Sequence, residues 1–313
     1  MKKSFDTEKS LNLIVILGPT ASGKTAFAAH LALALDGEVI SADSRQVYRG
    51  MDLGTGKDIE DYQIGDQIIP CHLIDIVNPD HAYNVYEFQR DFLEAYGSIR
   101  QEKKLPILCG GSGLYLEAVL KGYKLIEVPP DQNYRAALAE KSDEELTQLL
   151  DGMSKLHNTS DISSRKRLIR AIEIARHYQH NPREDKTYPS LNHKIIGIRF
   201  DRESERKRIT ARLHQRLEGG MIEEVKTLID LYGSETIEYF GLEYKFLSWH
   251  LSGQITYDEM YTKLNTAIHQ FAKRQMTWFR RMQRNGFAIH WIDGYTPMEE
   301  KIRQAIEFLN GEN

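Results

Sequence analysis

LNLIVILGPTASGKTAFAAHLALAL, residues Leu11 to Leu35, holds three kinds of chain in succession. Leu11 to Leu17 is an apolar run read as a buried strand, Gly18 to Thr25 is a glycine-bearing loop, and Ala26 to Leu35 is rich in Ala and Leu, good helix formers. The loop Gly18-Pro19-Thr20-Ala21-Ser22-Gly23-Lys24-Thr25 matches G-x-x-x-x-G-K-[ST], and it lies in the strand, loop, helix context in which that pattern has physical meaning. A ring of backbone N–H groups then opens at a helix N-terminus. Lys24 supplies a point charge to the outer phosphate, and the Thr25 hydroxyl suits Mg²⁺ or a phosphate oxygen. A di- or triphosphate ligand is the expectation.

Outward from this loop, Glu38 to Ser41, His72 to Val77 and Pro106 to Cys109 read as further strands, with a helix over Tyr83 to Lys104. Strands alternating with helices imply a mostly parallel sheet covered on both faces. From Tyr123 the character changes. Pro129-Pro130 breaks the chain, KSDEELTQLLDGM and SSRKRLIRAIEIARHY are helix-patterned, and Pro182 and Pro189 close the stretch. A strand pattern resumes over Lys194 to Phe200, followed by long helix-like segments Arg202 to Leu231 and Tyr257 to Gln283 and a last strand Ala288 to Asp293. The expected fold is α/β, a P-loop NTPase-like core from residues 1–122 and 190–313 with an inserted helical domain over 123–189.

Composition narrows the class. The chain has 313 residues, 41% of them hydrophobic and 27% charged, with 3 Trp, 16 Tyr and 11 Phe, which excludes a disordered tail or a low-complexity linker. The apolar runs Leu13 to Leu17 and Leu31 to Leu35 fall far short of the roughly 18 residues of a membrane span, and MKKSFDTEKS leads into no signal-type stretch. No membrane association and a cytoplasmic location are expected. Cys71 and Cys109 fit two reduced structural thiols. With 41 Lys+Arg against 45 Asp+Glu, bulk charge announces no nucleic acid, so any such partner has to be found in local patterning.

The phosphate loop alone points to a kinase or NTPase, a nucleotide or small-molecule kinase being the alternative. Against this, the strand ending at Cys109 runs into a second glycine loop, Gly110-Gly111-Ser112-Gly113, instead of ending in the usual metal-side Asp; Asp75 in HLIDIV keeps the kinase alternative open. Asp43-Ser44-Arg45-Gln46-Val47-Tyr48 follows the second strand, at the edge where open parallel sheets place ligands. A carboxylate there can accept a proton from a nucleophile while a phosphate leaves opposite it, which makes Asp43 the candidate base.

These residues resemble the tRNA dimethylallyltransferases, also called tRNA isopentenyltransferases. The resemblance rests on GPTASGKT at Gly18 to Thr25, DSRQVYRGMDLGTGK at Asp43 to Lys57, GGSGLY at Gly110 to Tyr115, RKRLIRAIE at Arg165 to Glu173 and FAKRQMTWFRR at Phe271 to Arg281. It spans nearly the whole chain, and DSRQVY with AKRQMTWF is specific to the family. It implies transfer of the dimethylallyl group from dimethylallyl diphosphate to the exocyclic amine of the adenosine 3′ of the tRNA anticodon, with Mg²⁺ as cofactor and a monomeric enzyme. By the same resemblance Asp43 contacts the amine as base, Thr25 bonds the diphosphate near the breaking bond and faces the metal, and Gly18 to Thr25 with Arg212 and Arg208 hold the diphosphate. A non-catalytic RNA-binding relative is a third reading, against which Lys24, Thr25 and Asp43 speak.

On the RNA side, the resemblance assigns the anticodon stem-loop to Arg135, Lys166, Arg167 and Arg170, to the Asp43, Ser44, Arg45, Gln46 segment and to Ser112 in place of the usual Thr. Lys273-Arg274-Gln275 with Trp278 and Phe279 interleaves cations with aromatics, a combination that suits unstacked bases, so Lys273 and Arg274 join the RNA contacts. Arg208, Arg212 and Arg216 form one helical ridge, on which Arg216 stands where relatives often carry an apolar residue and reads as exposed. Trp278 and Phe279 read as core side chains and are left out of the site. Other departures are Asp58 for the proline of G-T-x-K-P, Leu242-Glu243-Tyr244 within I-G-Y-[KR]-[EQ], and His269 for Arg; a Cys₂His₂ extension is not seen.

Overall fold

A computed structural model describes residues 11–153, 164–181 and 188–311. Pro182 and the opening MKKSFDTEKS lie outside the described residues. The chain divides at Gly122/Tyr123 and Pro189/Ser190 into two compact units.

In the first unit, β1 (Leu13–Leu17), α1 (Lys24–Leu35) and β2 (Gly37–Ser41) are followed by a small hairpin of β3 (Gln63–Ile64) and β4 (Gln67–Ile68). Next come β5 (Cys71–His72), α2 (Val85–Gln101), β6 (Leu105–Gly110) and α3 (Gly113–Leu120). The second unit contains α4 (Gln132–Ala139), α5 (Asp143–Met153) and α6 (Arg165–His180). The first unit resumes with β7 (His193–Arg199), α7 (Arg202–Glu218), α8 (Met221–Tyr232), α9 (Ser234–Glu238), α10 (Leu242–Leu251), α11 (Tyr257–Arg284), β8 (Ile289–Asp293) and α12 (Met298–Asn310). Its main sheet has six strands in the order β5-β2-β6-β1-β7-β8, all paired in parallel.

All five residues of β1 are fully buried, and the strand's period of two divides them between two faces. Leu13, Val15 and Leu17 pack with Phe88 and Phe92 of α2, whereas Ile14 and Ile16 pack with Phe27 and Leu31 of α1. Truncating one such aromatic, Phe92→Ala for example, removes about 3–5 kcal/mol of stability. Helix starts follow local chemistry: Asn84 and Glu87 form a capping box on α2, and Thr256 and Glu259 form another on α11.

Two sequence expectations need correction. His72 to Val77 is not one strand: β5 ends at His72, because Leu73 (φ 63°) and Asp75 (φ 55°) take left-handed conformations that no extended run tolerates. Arg202 to Leu231 is two helices, because the chain turns at Gly219-Gly220, where Gly220 has φ 99° and caps α8. Four helices in segments that carried no assignment, α3, α9, α10 and α12, complete the first unit.

The second unit packs Leu138, Leu146, Leu150, Leu168 and Ile172 into a core of its own. Beneath its surface lies Glu173, whose carboxylate receives Arg135 Nε at 2.8 Å and Nη2 at 2.7 Å, Arg170 Nη1 at 3.1 Å and the Asp131 amide at 3.0 Å. Burial alone would raise its pKa, but these donors outweigh burial and hold the carboxyl below its ordinary value.

Candidate active site at the sheet edge

Neighbouring strands β1, β6 and β2 end in three loops on one sheet edge: the phosphate loop, the second glycine loop and the Asp43 segment. In the phosphate loop Ala21 (φ 60°) and Gly23 (φ 75°) are left-handed, and Gly23 caps α1. Gly18 leaves no room for a side chain, since a Cβ there would stand 2.7 Å from both the Ile198 carbonyl and Ser22 Oγ. Pro19 accepts from the Ser22 amide at 3.3 Å and from Lys24 Nζ at 3.4 Å. Ser22 Oγ is buried without a partner, a state that a phosphate or metal ligand would relieve.

Burial lowers the pKa of Lys24, and the negative charge of Asp43 works against that shift, so the candidate base acts electrostatically on the phosphate-loop lysine. Asp43 Oδ1 accepts the Arg45 amide at 2.9 Å, and the next residue, Ser44, donates its amide to Ser112 Oγ at 3.1 Å. The Ser112 hydroxyl therefore links the second glycine loop to the Asp43 segment. Gln46 is an internal brace: its Oε1 accepts Ser41 Oγ at 3.1 Å and its Nε2 donates to the Gly56 carbonyl at 3.0 Å. Arg45 lies over the Tyr239 ring.

Gln275 is the residue that sequence reasoning passed over as one letter in a cationic run. Buried on α11, it accepts the Thr20 amide at 2.9 Å and donates to the Gly111 carbonyl at 3.0 Å, so one side chain fastens both glycine loops. The close approaches that the second loop's glycines permit are internal. A Cβ would meet the Ala42 carbonyl oxygen at Gly110, Gln275 at Gly111 and Trp278 at Gly113, each within 2.3 Å. Phe279 is fully buried and Trp278 half-buried beneath Arg281, in keeping with their omission from the site.

From α7, Arg208 Nε donates to the Ala21 carbonyl at 2.9 Å while its guanidinium covers the Phe200 ring, and Arg212 reaches Gly56 and Asp58. Arg216 corrects its sequence reading. Its side chain is 13% exposed and it pairs with Asp58 at 2.9 Å, because the loop ending at Asp58 folds over that face of α7. Asp75, the carboxylate of the kinase alternative, is engaged by Lys57, which also meets Asp52 and the Tyr48 carbonyl. Lys273 and Arg274 are exposed on α11. Arg135, Lys166, Arg167 and Arg170 belong to the second unit, where Arg135 and Arg170 serve Glu173, and Lys166 and Arg167 are exposed.

The IPP transferase family model matches residues 46–282, and an isopentenyl transferase model matches residues 11–65. The chain belongs to the IPP transferase family. A family member from Bacteroides fragilis, tRNA dimethylallyltransferase 2, is 60% identical over 95% of this chain and 96% of its own. The tRNA dimethylallyltransferase 1 of Geotalea daltonii is 53% identical over 93% of this chain and 94% of its own. Among solved IPP transferase structures, the full-length tRNA isopentenylpyrophosphate transferase of Bacillus halodurans superposes with a TM-score of 0.69 at 33% identity, covering 96% of each chain. These members share a P-loop NTPase-like fold, as does a eukaryotic dimethylallyltransferase structure with a TM-score of 0.73 at 21% identity. The family assignment leaves the kinase alternative without support.

Proposed function

We propose that this chain is a tRNA dimethylallyltransferase that moves the dimethylallyl group of dimethylallyl diphosphate onto the exocyclic amine of the adenosine 3′-adjacent to the anticodon. The observation that carries the reading is the placing of the phosphate loop and the Asp43 segment at the ends of β1 and β2, on one sheet edge and on either side of β6. The phosphate loop holds the diphosphate through its amides, Lys24 and the Thr25 hydroxyl, joined by Arg208 and Arg212 from α7. The amine nitrogen forms a bond to the first carbon of the dimethylallyl group as the carbon–oxygen bond to diphosphate breaks, and the bonding electron pair leaves on diphosphate. Asp43 takes the amine proton, which removes the positive charge building on nitrogen. Keeping water from the allylic carbon requires a closed site.

Mg²⁺ fits this residue set as a companion of the diphosphate. Among the described residues no three His, Cys, Asp or Glu side chains gather into a cage, and a hard cation that prefers phosphate oxygens and water needs few protein ligands. Thr25 is the side chain that would hold it. When bound, the ion supplies positive charge to the departing oxygens. The exposed Lys273, Arg274, Lys166 and Arg167, with Ser44, Arg45 and Ser112, are the proposed contacts to the anticodon arm.

The test is incubation with unmodified tRNA, labelled dimethylallyl diphosphate and Mg²⁺, and separately with ATP and candidate acceptors. Label is expected in the RNA. Asp43→Ala is expected to lower turnover by about 10²–10⁴ while tRNA affinity stays within about tenfold, since one hydrogen bond to a base edge contributes ~1–2 kcal/mol. Phosphate transfer from ATP without prenylation overturns the function. Full single-turnover rate in Asp43→Ala overturns the base.

A further inference from the structure

Asp58, Arg216 and Glu243, from three separate segments of the chain, meet around Arg212. Asp58 Oδ2 accepts Arg212 Nη2 at 2.7 Å, and its Oδ1 accepts Arg216 Nη2 at 2.9 Å. The two guanidiniums lie against Gly56, where a Cβ would meet nitrogens of both at 2.5 Å. Arg212, Arg216 and Glu243 line one cavity together with Thr20 and Ala21 of the phosphate loop. Burial raises the pKa of Glu243, opposed by its own backbone amide and by the charges of Arg216 and Arg212. The carboxylate in ion-pair contact with both arginines is Asp58. Lys24 also feels the charges of Arg212 and Asp58.

The loop that carries Asp58 is pinned. Glu224 accepts the consecutive amides of Asp52, Leu53 and Gly54 at 3.1, 2.6 and 3.0 Å, and Lys57 ties Asp52 to Asp75 and to the Tyr48 carbonyl. The Asp58 carboxylate is itself 46% exposed, and the long arginine stems can swing away from it. A diphosphate offers these guanidiniums more charge and more acceptor oxygens than a single solvated carboxylate does.

We propose that Arg216 is a further diphosphate-binding guanidinium, and that Asp58 is the internal anion that holds it and Arg212 until the diphosphate of the donor displaces it. This rests on the reading of the phosphate loop as the donor site. Two guanidiniums and Lys24 would repel one another in the ligand-free protein, and Asp58 keeps the pair oriented and neutralised meanwhile. Binding is then an exchange of one anion for another, and Asp58 lowers the affinity of the site it helps to assemble.

Calorimetric titration of the full chain with inorganic pyrophosphate and Mg²⁺ tests this. Lys24→Ala is the control: undiminished binding in it overturns the phosphate-loop reading itself. Arg216→Met is expected to weaken pyrophosphate by about tenfold, the loss of one charge-assisted hydrogen bond. Asp58→Asn is expected to tighten binding at least about threefold, an effect that shrinks when combined with Arg216→Met, as for coupled neighbours. If Arg216→Met does not fold, Arg216→Gln, which keeps a donor toward Asp58, carries the same expectation. Loss in Lys24→Ala with Arg216 variants within about twofold of the parent overturns the role of Arg216 alone. Weaker binding in Asp58→Asn makes Asp58 a scaffold and overturns the exchange.

Discussion

The helical unit and the α/β core each bring two arginines onto one carboxylate, and the surroundings of that carboxylate separate the two cases. In the helical unit Arg135 and Arg170 converge on Glu173, whose side chain is 2% exposed and which also receives a backbone amide. In the core Arg212 and Arg216 converge on Asp58, whose side chain is 46% exposed at a loop end. A buried carboxylate cannot be abandoned without a large desolvation penalty, so its arginines are committed to structure. A half-solvated carboxylate loses little when its partners leave, so its arginines remain available to a ligand. The residue type is the same; the depth of the counter-charge assigns the role.

The largest expected effect tests the buried member. Glu173→Gln leaves two guanidiniums without their counter-charge, and urea unfolding should show a loss of about 2–4 kcal/mol, whereas Asp58→Asn should change stability by less than about 1 kcal/mol. Equal losses would erase the distinction. The parent and Glu173→Gln sharpen it by pH. The Glu173 carboxyl is held below its ordinary value in the folded chain, so its contribution is present above the unfolded carboxyl pKa, near 4.5, and is lost as pH falls through the lower folded value. The parent should therefore lose stability more steeply than Glu173→Gln on acidification below about pH 4.5.

An intermediate effect is expected at Gln275, a neutral and buried counterpart in the core. Gln275→Ala leaves the Thr20 amide and the Gly111 carbonyl without their partner, for a loss of about 1–3 kcal/mol in thermal or urea unfolding. A silent Gln275→Ala would show that the two glycine loops are held by other contacts. The smallest effect on stability belongs to the exposed cations of α11: Lys273→Ala and Arg274→Ala should each stay within about 0.5 kcal/mol of the parent. Each should nevertheless reduce the salt dependence of tRNA binding by about one counterion, read from affinities at several salt concentrations. An unchanged slope would remove that residue from the RNA contacts.

Much of this was legible in the chain itself. GPTASGKT between an apolar strand and an Ala/Leu helix specifies a local structure, because each residue acts through its own backbone preference and its near neighbours. Asp43 was placed by the same local logic, as the first polar residues after a buried strand. Expectations failed where local cues were incomplete: a six-residue strand at His72 to Val77 was undone by two left-handed residues that no glycine announced, and one long helix by a Gly-Gly pair read as helix interior.

Sequence alone determined the succession of motifs along the chain, the phosphate loop and the resemblance that names its family, since all of these are properties of short segments. Tertiary structure decided which cation meets which anion. Arg135 and Glu173 are 38 residues apart, Thr20 and Gln275 are 255 apart, and Asp58 and Arg216 are 158 apart. Whether such a pair is structural or displaceable depends on burial, which is set by everything packed around it and written in no single stretch of the chain.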